Sequence, residues 1–390
     1  MSKIIGYQQC KRCVMDSTSK DFILDEVGNC NFCTHFLSYA KKNIFLERSE
    51  RYKLAALDIE EIKRRGKGKK YDCIIGVSGG IDSSYITLLA KDYGLRPILV
   101  HFDNGWNDEL AVMNIDNLVK HTGYDLYTYV IDWEGFRDMQ LAYFKAGVID
   151  LEVPTDMFIA GALYEVAEKF GVKSIISGNN VWTEAILPKD WRYPNKLDYK
   201  NMASIYEKFG RGKLKKIPHV SINRRFLFEM QGYKWVIFFD KLDYNDKEVK
   251  ARLVKEFGYR VYPCKHFESV FTRFYQGYYL RKKYNIDKRK AHLSNLIMTN
   301  QITREEAVQE LSHEPYELIK QMEDKEYVAK KWGISLEEFD RIMTQKPIEH
   351  SYYGEEHEKP SWYIYMFRYI KLVYLYKFAY PLKIKERPKP

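Results

Sequence analysis

Residues 72–84 read Asp-Cys-Ile-Ile-Gly-Val-Ser-Gly-Gly-Ile-Asp-Ser-Ser, and this stretch decides the fold. DCIIGV (72–77) is a short apolar run of the kind that forms a strand buried on both faces. Directly after it come Ser78, Gly79 and Gly80, and then a helical pattern over 82–93 with Ile86, Leu88, Leu89 and Tyr93 at core spacing. A strand that passes through a glycine turn into a helix is an anion site by construction. The glycines let the backbone approach the ligand, successive N–H groups form a nest, and the helix dipole adds positive potential. Ser78, Ser83 and Ser84 offer hydroxyls to the same oxygens. The loop lacks the lysine of a Walker A motif, and GKGKK (66–70) cannot supply it because it precedes the strand.

Strand and helix then alternate. RPILVH (96–101) is a second strand, 108–121 a helix, DLYTYVI (125–131) a strand, 156–170 a helix, and VKSIIS (172–177) the strand that closes the run. Helices of this length between strands imply an α/β fold built on a parallel, doubly wound sheet. Ligands of such sheets lie beyond the carboxyl ends of the strands. Residues 188–223 are rich in Pro, Lys, Tyr and Asn and read as a long irregular insertion over the site. A helix over 246–257 is expected, capped by Asn245 and stopped by Gly258. Asp156, after Pro154-Thr155, reads as a helix N-cap.

Ser-Gly-Gly-x-Asp-Ser after a strand resembles the PP-loop of ATP pyrophosphatases, which cleave ATP between the α and β phosphates. On that resemblance Ser78, Gly79, Gly80, Asp82, Ser83 and Ser84 are the phosphate-binding candidates. Phe102 and Asp103, in His-Phe-Asp-Asn-Gly (101–105), stand where this superfamily holds adenine. Gly178 and Asn179, in Ser-Gly-Asn-Asn (177–180), stand where related enzymes place groups beside the nucleotide. Asp103 has a second reading, since Asp-Asn-Gly is a strong turn. Asp82 is the candidate for holding Mg²⁺ against the phosphates, as hard cations at nucleotides take one or two carboxylates.

Cys10-x2-Cys13-x16-Cys30-x2-Cys33 has the spacing of a four-thiolate zinc site. Two such turns complete a tetrahedron, and a site closed by four thiolates is structural. An iron–sulfur cluster takes the same four thiolates and is the competing reading. Cys73 lies within the first strand, and Cys264 has no glycine-flanked elbow, so the chain shows no glutaminase nucleophile of its own. Six cysteines used this way suit a reducing compartment. The opening MSKIIGYQQCKRC has no apolar stretch of the secretory kind, and a cytoplasmic protein is expected. The formal charge of +10 suits any polyanion without choosing among them.

From 265 onward the chain reads as helical, with capping boxes at Thr303-x-x-Glu306 and Ser335-x-x-Glu338. Lys265, Ser269, Thr272 and Gln276 share one helical face, with Glu268 and Arg273 beside it, which suggests a ligand-facing stripe. Arg289 and His292 form a second cluster. Lys265 is a catalytic candidate, and His266, Arg273, Arg289 and His292 are the substrate-binding candidates. The aromatic tail 361–382 is interrupted by Arg368, Lys371 and Lys377, so no membrane span is expected. Packing on the core, or docking a protein partner or an anionic membrane face, are the readings open to it. Three regions follow: a zinc segment (1–44), a PP-loop domain (45–262) and a helical region with the tail (263–390).

The four cysteines, SGGIDSS (78–84), GNNVWTEAILP (178–188), KHFESVFTRFYQGYYL (265–280) and DKRKAHLSNLI with ITREEA (287–307) together resemble the N-acetyl sugar amidotransferases of the WbpG and PseA type. That resemblance covers nearly the whole chain. It implies conversion of an acetamido group on a nucleotide-linked sugar to an acetamidino group, in lipopolysaccharide O-antigen or related surface-glycan synthesis. ATP would activate the amide oxygen, and a separate glutaminase subunit, often accompanied by a cyclase-type barrel, would supply ammonia. Glu184, in the GNN segment, is the candidate for orienting ammonia or taking its proton, with a solvated surface acid as its other reading. No nucleic acid partner is expected. A tRNA-thiolating PP-loop enzyme is the alternative, and a nucleotide-binding partner without catalysis is a third reading.

Overall fold

The structure, a computed structural model, describes residues 6–212, 217–263 and 265–355. Cys264 and the aromatic tail 361–382 lie outside the described residues. Five strands form one parallel sheet: β1 (Cys73–Gly76), β2 (Pro97–Asp103), β3 (Leu126–Val130), β4 (Ser174–Ser177) and β5 (Lys234–Ile237). Their order is β3-β2-β1-β4-β5. The chain therefore winds outward from β1 to β3, then returns to the other side of β1 at β4. The gap between the ends of β1 and β4 is the point where the winding reverses, and there the loops splay apart.

Alternate residues of β1 feed two cores. Cys73, Ile75 and Val77 pack with Ile86 and Leu88 of the following helix, while Ile74 packs with Leu163 and Val166 on the other face. Both faces are covered, so the strand shows no polar residue between 73 and 77. Asn31–Asn43 (α1) and Arg48–Arg65 (α2) precede the sheet, and the helices that flank it are Ile81–Asp92 (α3), Glu109–Thr122 (α4), Trp133–Ala146 (α5) and Val153–Phe170 (α6). The helix Asp246–Phe257 starts at an Asn245 cap and ends at left-handed Gly258, as the sequence predicts.

Four expectations need correction. Helix α5 is an addition to the elements expected: Phe136, Met139, Leu141, Ala142, Tyr143 and Phe144 are all buried, and Glu134, Arg137, Asp138 and Lys145 hold the opposite, polar face. β5 was missed as well, being a four-residue edge strand with only Val236 buried. Residues 188–223 are not irregular throughout. Asp198 caps a helix, Tyr199–Phe209, which buries Met202, Ile205 and Tyr206, and Ser221 caps another, Ile222–Met230. Asp156 is no N-cap, because α6 starts at Val153 with Pro154 in its first turn, a position that suits proline's fixed φ and missing N–H. Thr303 and Glu306 form the full reciprocal capping box, whereas Ser335 makes only the forward bond to the Glu338 N–H.

The C-terminal helices are fastened to the sheet domain by aromatic contact. Phe144 of α5 lies 4.8 Å, ring to ring, from both Trp332 and Phe339, and all three are buried. No helix among the described residues is long and apolar enough to cross a membrane. Phe144→Ala should lower unfolding stability by roughly 3–5 kcal/mol, measured by denaturant titration, because it opens a cavity at that junction.

Candidate functional site

The site grows from the end of β1. Gly79 sits at φ +80, where an L side chain is strained, and a Cβ there would come within 2.6 Å of the Ala111 carbonyl oxygen. The loop therefore needs glycine for both its turn and its packing. Gly80 has ordinary dihedrals, but a Cβ on it would meet the Glu268 carboxylate at 2.8 Å. The Ser78 and Ser83 hydroxyls are 3.3 Å apart, and the Gly80 N–H donates to Ser78 Oγ. Beneath the loop, His101 sets its shape: its Nδ1 lies 3.0 Å from the Val77 carbonyl oxygen and its Nε2 3.0 Å from Asn107 Nδ2. An amide N–H on Nε2 makes Nδ1 the protonated nitrogen, so the ring donates to Val77.

Asp82 lies in the first turn of α3, where the helix dipole favours a carboxylate. Asn180 Nδ2 donates to its Oδ1 at 2.7 Å, and Lys265 Nζ pairs with its Oδ2 at 2.9 Å. Lys265 Nζ also lies 3.0 Å from Glu184 Oε1 and donates to Thr183 Oγ1 at 2.6 Å. Its three donors thus meet three acceptors from two loops. Burial works against the charge of Lys265, but Asp82 and Glu184 outweigh it and hold the pKa above the usual lysine value. His266 Nε2 lies 2.7 Å from the same Glu184 oxygen, and its Nδ1 faces Glu268 at 3.9 Å. His266 stands at φ +67, a conformation that a residue with a Cβ rarely adopts. Burial opposes its charge too, yet Glu184 and Glu268 raise its pKa to about 10. Burial would raise the pKa of Glu184, and the two cations reverse this, holding it well below the carboxylate range.

Ser78, Asp82, Asn180, Thr183, Glu184, Lys265 and His266 line one cleft of about 1030 Å³ that runs past Gly178 and Asn179 to the first turn of α6, whereas Gly79, Gly80 and Ser83 shape the loop without bordering it. Phe102 lines it and stacks on Tyr129, 5.9 Å between centroids. Ser269, Thr272 and Gln276 also line it, although Lys265 and His266 precede their helix, which opens at Ser269, runs Val270–Phe274 and continues as a π-helical turn over Tyr275–Tyr279. His292 forms part of the wall with Nδ1 3.0 Å from the Thr183 carbonyl oxygen, and burial, then the charge of Lys265, bring its pKa down to about 4.

Other sequence candidates stand elsewhere. Ser84 is fully buried and does not line the cleft. Asp103 forms the turn, its Oδ1 accepting from the Gly105 N–H at 3.0 Å and from Asn107 at 3.2 Å. Arg273 faces away, gripped by both oxygens of Asp324 at 2.8 and 2.9 Å and by Asp108 at 3.1 Å. Arg289 borders the cleft, but its guanidinium is held by Asp287 and by the carbonyls of Glu310 and His313. Asn180, Thr183 and His101 were not among the candidates. All three lie within quoted motifs, Asn180 and Thr183 in GNNVWTEAILP (178–188) and His101 at the head of His-Phe-Asp-Asn-Gly (101–105), but only the fold shows what each side chain meets.

Cys10, Cys13, Cys30 and Cys33 are fully buried, and their sulfurs all lie within 4.8 Å of one another. Three of the six separations are 3.6–3.8 Å, which matches the ~3.8 Å edge of a tetrahedron built on Zn–S bonds of about 2.3 Å. This donor set fits zinc. The knuckle grips the helix Arg289–Met298, which carries His292: the Val14 N–H donates to Ser294 Oγ at 3.2 Å, and Lys290 pairs with Asp16. Arg304 donates to the carbonyls of Cys10 and Cys13.

Residues 268–369, about a quarter of the chain, match the family described as LPS biosynthesis protein WbpG-like, C-terminal domain. No curated protein matches. Among solved structures, NMN synthetase from Francisella tularensis aligns at 13% identity over 59% of this chain and 93% of that one. Its TM-score of 0.28 is too low to bear on either fold or function.

Two outcomes test this geometry. Stripping the metal with a chelator, or Cys10→Ser, should lower the melting temperature and speed amide exchange in Arg289–Met298. Unchanged exchange there would show that the knuckle does not brace that helix. His266 contributes through a raised pKa, so its stabilisation is complete below its ordinary value of 6.5 and is lost as pH rises through about 10. The melting temperature lost by His266→Gln should therefore be larger at pH 6 than at pH 10.

Proposed function

We propose that this chain is an ATP-dependent, AMP-forming amidotransferase of the PP-loop superfamily, which converts an acetamido group on a sugar into an acetamidino group. The observation that carries this reading is the convergence of Asp82, Lys265 and Glu184 at the mouth of the Ser78–Gly80 turn, beside a cleft large enough for two ligands. The match of residues 268–369 to a WbpG-like domain supports a role in surface-polysaccharide synthesis.

An amide oxygen is a poor leaving group, and its replacement requires activation. In the proposed reaction that oxygen attacks the α-phosphorus of ATP, the bond to the β-phosphate oxygen breaks, and pyrophosphate departs. Ammonia then adds to the imidoyl carbon, and AMP leaves with the former amide oxygen. Backbone N–H groups of the loop and the Lys265 ammonium offset the charge that develops on the phosphates. Asp82 would hold Mg²⁺, which when bound neutralises phosphate charge. Glu184 is a weak base because two cations stabilise its ionised form. Its role is therefore to accept a hydrogen bond from the incoming nitrogen and fix its direction. The four-cysteine knuckle would hold zinc as a brace, with no step in the reaction.

Ammonia must come from elsewhere, and a separate glutaminase subunit, with or without a cyclase-type barrel, is the partner this reading needs. The alternative of tRNA thiolation requires a reactive thiol at the site. Among the described residues the one cysteine outside the knuckle, Cys73, is buried within β1, burial pushes its pKa well up, and it does not line the cleft.

The pure chain, given ATP, Mg²⁺ and a UDP-linked N-acetyl sugar, should form AMP and pyrophosphate. Turnover should need ammonium at raised pH and should not be supported by glutamine alone. Lys265→Met should lower kcat by roughly 100-fold or more while the protein stays folded. ADP with orthophosphate as products would exclude the PP-loop chemistry.

A further inference from the structure

The cleft extends beyond the groups used above. Helix α6 leads into the parallel strand β4, so it runs against the strand direction and its first turn stands at the carboxyl edge of the sheet. Glu152, Thr155 and Asp156 therefore line the far end of the cleft, opposite Thr272 and Gln276, and Thr272 donates to Glu152. The centre of this end is Asp150, which is fully buried. It accepts from the Tyr193 N–H at 2.9 Å and pairs with Lys196 at 2.8 Å, while Lys196 also reaches Asp156 at 2.8 Å.

Nearly every cation that borders the cleft has a carboxylate within ion-pair distance. Lys265 and His266 have Glu184, Lys196 has two aspartates, Lys247 has Glu306, Lys250 has Asp246 and Arg289 has Asp287. Arg192 and Lys288 are the exceptions among the described residues. Arg192 borders the cleft one residue before the Tyr193 N–H that holds Asp150, and its Nε is buried without a hydrogen-bond partner. Lys288 borders it with its Nζ 5.9 Å over the Tyr275 ring, and its charge acts on both Asp150 and Glu152. Thr155 Oγ1, in the same wall, is also buried without a partner. A partly buried guanidinium with an unmet donor is costly unless a ligand completes it.

We propose that Arg192 and Lys288 form an oxyanion-binding pair that anchors the second substrate by a phosphate or carboxylate group at the α6 end of the cleft. This rests on the reading of the cleft given under Proposed function, and it adds the charge of the acceptor and the residues that select it. The guanidinium fork suits either oxyanion, with the lysine as a point charge beside it. Lys196 offsets the two aspartates. Glu152 is pushed above its usual pKa by burial and then by Asp156, which reduces its repulsion of an anion.

The test measures binding alone, so it is independent of which products the reaction forms. The full chain, saturated with α,β-methylene-ATP and Mg²⁺, is titrated calorimetrically with UDP-N-acetylglucosamine, N-acetylglucosaminuronic acid and neutral N-acetylglucosamine. At least one anionic probe should bind tenfold or more tighter than the neutral sugar. Arg192→Gln and Lys288→Gln should each weaken that probe about tenfold, with nucleotide affinity and melting temperature unchanged. Preference for the UDP sugar identifies a diphosphate as the anchored group, and preference for the uronic acid identifies a carboxylate. The proposal is overturned if no anionic probe binds at millimolar concentration, if the neutral sugar binds as well, or if neither substitution weakens an anion. Loss of nucleotide binding in the unsubstituted chain would instead count against the PP-loop reading.

Discussion

The site depends on one buried ammonium. Lys265 Nζ joins Asp82 at the start of α3 to Thr183 and Glu184 in the loop after β4, and Lys265 itself belongs to the segment that leads into the C-terminal helices. Three stretches of chain far apart in sequence thus share one point. Taking these charges out of water is unfavourable by several kcal/mol per ion, and the cluster persists because every donor of the lysine is met. The same condition couples the three groups, since removal of one partner leaves the charges of the others unbalanced at the wall of the cleft. Glu184 takes a second cation from His266, and the two together hold it ionised.

The sheet makes that meeting possible. Because the winding reverses between β1 and β4, the loops that follow these two strands lie side by side with nothing between them. Ser78–Asp82 and Gly178–Glu184 are those two loops. The opposite wall comes from the C-terminal region, which is held down by the contact of Phe144 with Trp332 and Phe339 on one side and by the cysteine knuckle on the other. The knuckle lies far in sequence from the helix it grips, and its segment also donates from Ser19 and Lys20 to Asp190, in the turn before Arg192.

Much of this was legible in the residues themselves. The buried strand, the glycine turn and the helix after it occupy adjacent positions, and local backbone chemistry alone dictates their form. The cysteine spacing carries its own geometry, since each C-x-x-C turn aims two sulfurs at one centre. Other features misled because they depend on what surrounds them. β5 is a four-residue edge strand with one buried residue, too short and too exposed to show a pattern. Asp103 and Arg273 carry the right chemistry for a ligand, yet the first closes a turn and the second is saturated by Asp324 and Asp108.

The sequence by itself determined the α/β class, the position of the anion-binding turn and the four-thiolate cluster, because each rests on residues within a few positions of one another. Tertiary structure alone decided which charged groups face the cleft and which are already paired. Asn180 as the partner of Asp82, Thr183 beneath Lys265, and Arg192 and Lys288 left without carboxylates among the described residues are all matters of distance across the fold. Spacing along the chain says what a side chain is able to do. Only the packing of the chain on itself says whether another residue has already taken up that capacity.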